Sequence, residues 1–356
     1  MIDINFYRQF DNIVEKITSE KIEDTNKIFE LLEEVRSKEP IVYNIETTNR
    51  CNMKCQMCPR TTLMTRKIQD LKKVDFEKIV SQLKPHSENS WQQWKLYCEK
   101  KYGIYEYDKP SENHFFLYII SKAIQLHGFG EPVLDPNLPY YIKLLNDKGI
   151  PTYFSTNPIN IDETSTISMM ANGLTYLKYC FDSIDDFDNK NIRGKKSDFT
   201  QGYKKVLRII EARDKMKLGT TIVITMINLN KASQEYEYKK LEEFFKDKDI
   251  YLYLKSENSQ WYRKNFHGTK AIHGVEICKH PWMSITIKSN GEVAMCMDDY
   301  NNEIILGDAT KTALQDIWND KKYIAFRKSH INGTCEKCEM RCDIPTINSY
   351  LKRCGE

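Results

Sequence analysis

The chain has 356 residues, a length that corresponds to about two domains at roughly 150 residues each. Its 53 lysines and arginines against 50 aspartates and glutamates give a net charge of +3, too small to attract nucleic acid or an anionic membrane. The longest apolar run is the six residues 115–120, far below the roughly 20 that span a bilayer, and we expect no signal peptide. These features exclude membrane-spanning and secreted proteins.

The 11 cysteines are clustered along the chain. Three lie at positions 51, 55 and 58, and six lie between 278 and 354. A disulfide-stapled secreted protein would be rich in loops and carry an export signal, whereas clustered cysteines in a reducing cytosol more often bind metal or take part in catalysis. We therefore expect a cytoplasmic protein whose cysteine clusters bind metal.

Residues 1–40 carry apolar side chains at helical spacing and predict an N-terminal helical extension. From residue 41 onward strands and helices alternate, beginning with the strand 41–46 that runs into the first cysteine cluster. Later strands are predicted at 123–128, 152–156, 176–182, 220–226 and 251–254. This alternation predicts an α/β fold with a parallel sheet and helical crossovers, either open or closed into a barrel.

The connection between the first two predicted strands is far longer than such a connection needs. It contains an aromatic-rich insertion at about 84–120, in which Trp91, Trp94 and Cys98 recur at helical spacing. One interpretation is a helix that packs its apolar face on the barrel, and the alternative is a lid that faces the substrate.

The alternation ends before a predicted small C-terminal domain at 271–356, which places the barrel domain at 41–270. Two short strands flank Asn290-Gly291, a strong turn signal for a β-hairpin. A predicted helix at 311–328 and a cysteine-dense tail follow the hairpin.

Cys51, Cys55 and Cys58 place three thiols within eight residues, directly after the first strand. Such a loop can bind three irons of a four-iron cluster and leave the fourth iron open to another ligand. A structural zinc site needs a fourth protein ligand, which the neighbouring sequence does not supply, and a redox-active pair needs only two cysteines. The spacing therefore favours an iron–sulfur cluster.

The CxxxCxxC motif after the first strand resembles that of the radical S-adenosylmethionine (radical SAM) superfamily. The segment GFGEP at 128–132 is similar to the family's glycine–glutamate element. By this resemblance Gly128 and Gly130 permit close approach of the backbone, and Glu131 receives the amino group of SAM. The resemblance also implies that the three cysteines bind a [4Fe-4S] cluster whose open iron binds SAM.

Two further strand ends extend the resemblance. Ser155 and Asn157 are similar to the polar strand tip that lines the SAM pocket, and Arg193 is similar to the arginine that binds the SAM carboxylate. The sequence departs from the family at Cys180, where serine is common, and at Met57, where many members have an aromatic residue. A hydroxyl contact and an aromatic adenine contact are therefore not implied at these two positions.

A second set of four cysteines lies in the C-terminal region. Cys278 and Cys296 flank the predicted hairpin, and Cys335 and Cys338 form a CxxC pair beyond the last helix. Four thiols can bind a fully coordinated iron–sulfur cluster or a zinc ion, and ligand geometry alone does not separate the two. The region resembles the SPASM/twitch extension of many radical SAM enzymes, which implies an auxiliary [4Fe-4S] cluster.

The number of auxiliary clusters depends on the cysteines that remain. A full SPASM domain has a longer terminal cysteine pattern and holds two clusters, whereas only Cys342 and Cys354 are left here. The spacing resembles the single-cluster form of the extension more closely. We therefore expect one auxiliary cluster, with Cys342 and Cys354 as structural thiols or, alternatively, as part of a second site.

The resemblance implies a partial (β/α)6 TIM-like barrel with N-terminal helices and a small C-terminal iron–sulfur domain built from a β-hairpin plus helix. It also implies cleavage of SAM to a 5′-deoxyadenosyl radical that abstracts hydrogen from an unactivated C–H bond. An auxiliary cluster suits an oxidation because it can accept the second electron. We therefore expect oxidation of a hydroxyl carbon in a sugar, cyclitol or similar small molecule, with a reductant such as flavodoxin or ferredoxin.

Two alternatives remain for the function. One is a radical SAM maturase that modifies a ribosomally made peptide or a protein side chain, although residues 1–38 are too short for the peptide-recognition module that such maturases often carry. The other is a non-enzymatic carrier with two clusters, which would need no SAM-binding elements. No motif assigns a catalytic base, and His127 faces either the barrel interior or the core.

Overall fold

The structure is a computed structural model, and it describes residues 2–229, 231–255, 278–294, 296–297 and 299–332. The α-helices within these ranges are α1 (Ile4–Ser19), α2 (Thr25–Val35), α3 (Pro59–Thr62), α4 (Lys73–Ser81), α5 (Glu88–Tyr102), α6 (Glu112–Phe115), α7 (Leu138–Asp147), α8 (Glu163–Ala171), α9 (Asp186–Arg193), α10 (Phe199–Met216), α11 (Gln234–Phe244), α12 (His280–Met283), α13 (Leu314–Asn319) and α14 (Lys321–Ile331). None of them combines the length and the apolar character that crossing a membrane requires.

The strands of the described ranges are β1 (Ile41–Ile45), β2 (Ile124–Gln125), β3 (Thr152–Thr156), β4 (Tyr176–Cys180), β5 (Thr221–Ile227), β6 (Tyr251–Lys255), β7 (Ser284–Ile287), β8 (Glu292–Ala294) and β9 (Ile305–Asp308). They form one sheet in the order β6-β5-β4-β3-β2-β1-β7-β8-β9. Strands β1 to β6 pair in parallel and are joined by helical crossovers, which confirms the predicted partial (β/α)6 architecture.

The predicted C-terminal hairpin is present as β7 and β8, and it extends the barrel sheet instead of forming a sheet of its own. Strand β7 pairs in parallel with β1, with Ile45 opposite Ile287. Strands β8 and β9 continue the sheet in antiparallel order. The first barrel strand therefore has a barrel neighbour on one side and the C-terminal hairpin on the other.

Two elements differ from the sequence-based bounds. Strand β2 keeps only two paired residues of the predicted 123–128, because the chain leaves the sheet as it approaches the glycines at 128 and 130. The predicted helix 311–328 consists of α13 and α14, which are separated at Asp320. The Asp320 carboxylate accepts a hydrogen bond from the Lys322 N–H at 2.7 Å and so begins a new helix in mid-segment.

The aromatic-rich insertion contains the expected helix α5, with Trp91, Trp94 and Cys98 buried. The Trp94 indole donates a hydrogen bond to the Leu117 carbonyl at 2.7 Å, and its ring lies 4.9 Å from that of Tyr7 in α1. Helix α5 therefore packs between the N-terminal helix and the second half of the insertion, whereas the sequence-based interpretation placed its apolar face on the barrel.

The second half of the insertion, residues 112–120, packs on the face of the sheet opposite the crossover helices. The Phe115 ring lies 5.6 Å from Tyr153 and 5.0 Å from Tyr253. We call the buried residues on this face the inner aromatic cluster: Tyr43, Phe115, Ile119, Ile120, Ala123, Tyr153, Tyr176, Val223, Tyr251 and Tyr253. The insertion therefore fills part of the barrel interior.

Replacing Trp94 by alanine should lower the free energy of unfolding by about 3–5 kcal/mol, because the change removes a fully buried indole and the donor to the Leu117 carbonyl. Leu96, which is 55% exposed in the same helix, provides the matched control, and Leu96→Ala should change stability by less than about 0.5 kcal/mol. Urea denaturation followed by circular dichroism measures both variants, and equal losses would contradict the packing assigned to Trp94.

Candidate functional site

Polar segments follow the carboxyl ends of four neighbouring strands. The cysteine loop 51–58 follows β1, residues 128–131 follow β2, residues 155–157 end β3, and residues 180–182 end β4. Because the carboxyl ends of parallel strands meet at one edge of a sheet, these segments lie together. The structure thus gathers at one edge the segments that the sequence assigns to SAM and the first cluster.

The cysteine loop is held by backbone hydrogen bonds to the end of α9. The N–H groups of Lys54 and Gln56 donate to the carbonyls of Arg193 and Ile192 at 3.0 and 2.9 Å. Gly194 ends α9 with a φ of +97°, and a Cβ at this position would lie 3.0 Å from the Lys54 nitrogen. The end of α9 therefore holds the loop between Cys51 and Cys58 in place.

The three thiols of the loop suit a metal cluster better than a nucleophile. Burial raises the pKa of Cys51 to about 11 and that of Cys58 to about 12, and it raises the pKa of Cys55 as well. Such thiols stay protonated near neutral pH unless a metal ion displaces the proton. No three His, Cys, Asp or Glu side chains of the described ranges converge on a single ion, whereas a four-iron cluster takes one thiolate per iron.

Arg193 lies beside the first cluster loop. Its Nη1 is 3.6 Å from the Cys55 sulfur, and its Nε donates to the Asp182 carboxylate. Although burial alone would lower the pKa of Arg193, the neighbouring Asp182 holds it well above its usual value. The guanidinium is therefore charged and oriented next to Cys55, and its contact with the SAM carboxylate stays a prediction.

Gly128 and Gly130 lie against the chain that leaves β1. A Cβ at Gly130 would lie 2.1 Å from the Thr48 carbonyl oxygen, and one at Gly128 would lie 2.3 Å from a Glu46 carboxylate oxygen. Both positions require glycine for packing alone, whether or not SAM binds there. Only glycine lets residues 128–130 approach residues 46–48 this closely.

The Glu131 carboxylate is buried and is already engaged by the protein. It accepts hydrogen bonds from the Thr156 hydroxyl at 2.5 Å, the Asn157 N–H at 3.1 Å and the Asn160 amide at 2.9 Å. Burial raises the pKa of this carboxyl group, an effect that the three donors oppose. Glu131 therefore fixes the end of β3, and the SAM amino-group contact predicted for it is not tested by these bonds.

Ser155 and Asn157 point to different surroundings. The Ser155 hydroxyl lies 3.3 Å from the Cys180 sulfur, which also accepts a hydrogen bond from the Thr225 hydroxyl at 3.5 Å. The Asn157 side chain is buried, accepts from the Ile159 N–H at 3.1 Å and so caps the 3₁₀ turn Pro158–Asn160. Ser155 thus belongs to the barrel interior with Cys180, whereas Asn157 stabilises its own loop.

Glu46, at the end of β1, is a residue whose importance the sequence did not reveal. Its carboxylate is fully buried and accepts two hydrogen bonds from the Arg66 guanidinium at 2.7 and 2.8 Å. It also accepts the N–H groups of Phe129 at 3.0 Å and Ser289 at 3.1 Å, while Arg66 donates to the Tyr300 carbonyl at 2.6 Å. Its only sequence signal was an acidic residue that ends an otherwise apolar strand.

The Glu46–Arg66 pair keeps its charge. Burial would raise the pKa of Glu46, but the bidentate contact with Arg66 and the nearby Lys288 lower it to about 2. A group whose pKa falls on folding contributes stability above its unfolded pKa, here 4.5, and loses that contribution as the pH falls toward 2. The carboxylate is therefore ionised throughout the neutral range.

Two cysteines of the second set, Cys278 and Cys296, lie within the described residues. Cys278 precedes α12 and Cys296 follows β8, and both are half-buried. Burial raises the pKa of Tyr323 in α14, and both Cys296 and Cys278 add to that rise. Four further cysteines lie outside the described residues: Cys335, Cys338, Cys342 and Cys354.

Comparisons with known proteins agree with this arrangement. Residues 278–343 match the SPASM family model, described as an iron–sulfur cluster-binding domain. The chain is similar to the structure of SuiB from Streptococcus suis bound to S-adenosylmethionine, with 14% identity, coverage of 84% of this chain and 70% of that chain, and a TM-score of 0.54. It is also similar to histidine-tagged anSMEcpe with bound AdoMet, with 14% identity, coverage of 88% of this chain and 91% of that chain, and a TM-score of 0.51.

BtrN in complex with AdoMet and 2-DOIA is a third similar structure, with 15% identity, coverage of 86% of this chain and 93% of that chain, and a TM-score of 0.46. No curated protein sequence matches the chain. At these identities the structural comparisons establish the fold and leave the substrate open.

The SPASM match confirms the iron–sulfur domain expected at the C-terminus, and the structural comparisons confirm the expected α/β fold. The family match also supports iron over zinc in the C-terminal domain. The ligand assignments of the individual cysteines stay predictions.

Gly130→Ala should weaken SAM binding at least about tenfold, because its Cβ would press on the backbone that leads into the cysteine loop. Gly219 has no atom within 4 Å of a Cβ built on it, so Gly219→Ala is the matched control and should bind SAM normally. Equilibrium binding of SAM to the anaerobically reconstituted variants measures the difference. Equal affinities would contradict the close packing assigned to Gly130.

Glu46→Gln should destabilise the protein by about 3–5 kcal/mol, because it leaves the Arg66 guanidinium buried without its counter-ion. The double variant Glu46→Gln/Arg66→Met should lose less stability than the sum of the two single variants. Chemical denaturation of all four proteins completes the cycle. Simple additivity would show that the pair does not act as a unit.

Proposed function

We propose that this radical SAM enzyme is an oxidoreductase that abstracts hydrogen from a polar small molecule, such as a sugar or cyclitol, and oxidises a hydroxyl carbon with the auxiliary cluster as electron acceptor. The observation that carries this proposal is the direct pairing of β1 with β7. Strand β1 leads into the loop of Cys51, Cys55 and Cys58, and β7 leads through the hairpin to Cys296. Two cluster loops on adjacent strands suit a reaction in which electrons pass both to and from the substrate region.

Each cluster has its own set of candidate ligands. Cys51, Cys55 and Cys58 would hold the first cluster with one iron open. The candidate ligands of the auxiliary cluster are Cys278, Cys296, Cys335 and Cys338. When bound, the first cluster supplies the electron that cleaves SAM to methionine and a 5′-deoxyadenosyl radical, and the auxiliary cluster accepts an electron from the substrate.

The side chains of the barrel interior would exclude water from the reaction and orient the substrate. The inner aromatic cluster and residues 112–120 fill the barrel interior with apolar surface, which protects a reactive radical from stray hydrogen donors. The polar groups Ser155, Cys180 and Thr225 lie closer to the carboxyl ends of their strands than this cluster does. A polar substrate would therefore meet hydrogen-bonding groups near the cysteine loop and an apolar floor beneath them.

A maturase that acts on a ribosomally made peptide is the second candidate, since SuiB bound to the precursor peptide SuiA has a similar fold. In this chain the apolar faces of α1 and α2 are buried, including Phe6 and Phe10 in α1 and Leu32 in α2. Helix α1 packs on α5, and Glu33 of α2 lies 2.7 Å from Arg327 of α14. This packing occupies the N-terminal helices and favours a small-molecule substrate.

Anaerobic reconstitution should load about eight irons per chain, and SAM with dithionite should then yield 5′-deoxyadenosine. Cys55→Ala should lose about four irons and the 5′-deoxyadenosine. Cys98, which is fully buried in α5, provides the matched control, and Cys98→Ala should keep both. Candidate sugars and cyclitols deuterated at carbon should transfer deuterium to 5′-deoxyadenosine when they are substrates.

Two results would contradict this function. About four irons together with 5′-deoxyadenosine would remove the auxiliary cluster and with it the oxidative half of the reaction. A fully loaded protein that forms no 5′-deoxyadenosine with any substrate class, peptides included, would contradict the radical chemistry itself.

A further inference from the structure

Lys178 is a buried cation on the inner face of the barrel. It lies in β4 with 7% of its surface exposed, in register with Ser155 of β3 and Val223 of β5. Its ammonium lies 5.1 Å from the Phe115 ring and 5.9 Å from the Tyr153 ring, both of which belong to the inner aromatic cluster. Two aromatic faces compensate only a fraction of the free energy lost when an ammonium leaves water.

No counter-ion of the described residues pairs with Lys178. The buried lysines of these ranges are Lys178, Lys279 and Lys288. Lys279 lies 3.1 Å from the Asp11 carboxylate, and Lys288 donates to the Met297 carbonyl at 2.8 Å. Lys178 alone among the three has neither a carboxylate at ion-pair distance nor a hydrogen-bond acceptor.

Several ionisable side chains surround Lys178, and none of the carboxylates among them forms an ion pair with it. The Asp182 carboxylate is paired with Arg193 and so is not free to pair with Lys178. His127 is neutral near pH 7, because burial and the charge of Lys178 lower its pKa to about 3. Glu112 exerts only a long-range attraction on Lys178 and has its own interactions. Cys180 on the same strand face is the ionisable group that interacts with Lys178: burial alone would raise the pKa of its thiol, but Lys178 and Arg193 lower it. No carboxylate of the described residues lies at ion-pair distance from the Lys178 ammonium, so an oxyanion has no competitor of that kind here.

Two more polar atoms of the same face lack partners within the described part of the chain. The Gln125 side-chain nitrogen and the Tyr253 hydroxyl are buried without a hydrogen bond. Tyr253 belongs to the inner aromatic cluster, and Gln125 is the register partner of Tyr153 of the same cluster, hence on the same side of the sheet. Oxygen atoms of a bound molecule would satisfy these groups together with the ammonium.

We propose that Lys178 binds an oxyanion of the substrate, a carboxylate or a phosphate group, so that the substrate is an anionic sugar, cyclitol or related polyol. This inference rests on the proposed function and names its substrate class. Lys178 lies two residues before Cys180 on the same strand face, about 7 Å farther from the strand end. An anion at Lys178 would therefore anchor one end of the substrate and leave the rest beside Cys180 and the cysteine loop.

The position of Lys178 also separates this role from binding of SAM. Arg193 contacts Cys55 directly, whereas the Lys178 ammonium lies over the Phe115 and Tyr153 rings. We therefore expect loss of Lys178 to leave SAM affinity unchanged.

The test measures binding without turnover, on the cluster-loaded protein with SAM and no reductant. Inorganic phosphate and acetate are titrated against chloride at constant ionic strength, and the thermal midpoint and isothermal titration are recorded. The variants are Lys178→Met and the matched control Lys204→Met, which removes an exposed lysine of α10. Wild type and Lys204→Met should bind one anion with a dissociation constant in the millimolar range. The affinity of Lys178→Met for the anion should be at least tenfold lower. Preference for phosphate or acetate identifies a phosphorylated or a carboxylated substrate.

A second measurement needs no ligand. Lys178→Met should have a higher thermal midpoint than wild type without added anion, because it removes an unpaired buried charge. An equal anion response in Lys178→Met and Lys204→Met, no anion binding by wild type, or a lower midpoint for Lys178→Met would overturn the proposal. A loss of SAM affinity in Lys178→Met would overturn it in favour of a SAM contact.

Addition of reductant then separates this proposal from the proposed function. Anion binding that depends on Lys178, with no 5′-deoxyadenosine formed from any substrate, would contradict the reaction and keep the anion site. Formation of 5′-deoxyadenosine together with equal anion binding by wild type and Lys178→Met would contradict only the proposed substrate class.

Discussion

The buried carboxylate of Glu46 is the constraint on which the site depends. It binds Arg66 on one side, the N–H of Phe129 in the glycine segment on another, and the N–H of Ser289 in the hairpin turn on a third. A carboxylate at this depth is stable only when its hydrogen-bonding capacity is filled. The segments that approach it are therefore held in one arrangement, in which Gly128 has no room for a side chain.

This constraint joins two parts of the chain that the sequence suggests are separate. Strand β1 leads into Glu46 and the first cysteine loop, and its neighbour β7 begins the hairpin of the SPASM region. Arg66 forms a second connection to this region, because its guanidinium donates a hydrogen bond to the carbonyl of Tyr300, which follows Cys296. The surroundings of the first cysteine loop and of Cys296 are therefore connected through Glu46 and Arg66.

Local signals in the sequence predicted much of the fold. The bounds predicted for the strand 152–156 agree with β3, which follows Gly149 with its positive φ. The three-cysteine motif and the glycine segment were likewise recognisable, and the structure brings them to one edge of the sheet. Local capping by Asp320, in contrast, divided a helix that apolar spacing alone made continuous.

The features that escaped prediction depend on partners distant in sequence. The Glu46 carboxylate accepts a hydrogen bond from the N–H of Ser289, more than two hundred positions away, and the local sequence IVYNIE does not predict that bond. Lys178 occupies an ordinary position in the strand YLKYC, and only the packed structure reveals that its charge has no partner among the described residues. Residue spacing identifies candidate ligands, but it does not show which polar groups satisfy one another after folding.

Low-temperature electron paramagnetic resonance of the reduced, reconstituted protein tests the central claim most directly, because it observes each cluster separately. If one cluster has an open iron and the other is fully coordinated by cysteine, two signals should be present and SAM should shift only one of them. Cys55→Ala should remove the SAM-sensitive signal and leave the other. A single signal, or two signals that both stay unchanged when SAM is added, would contradict a site that combines SAM cleavage with a separate electron acceptor.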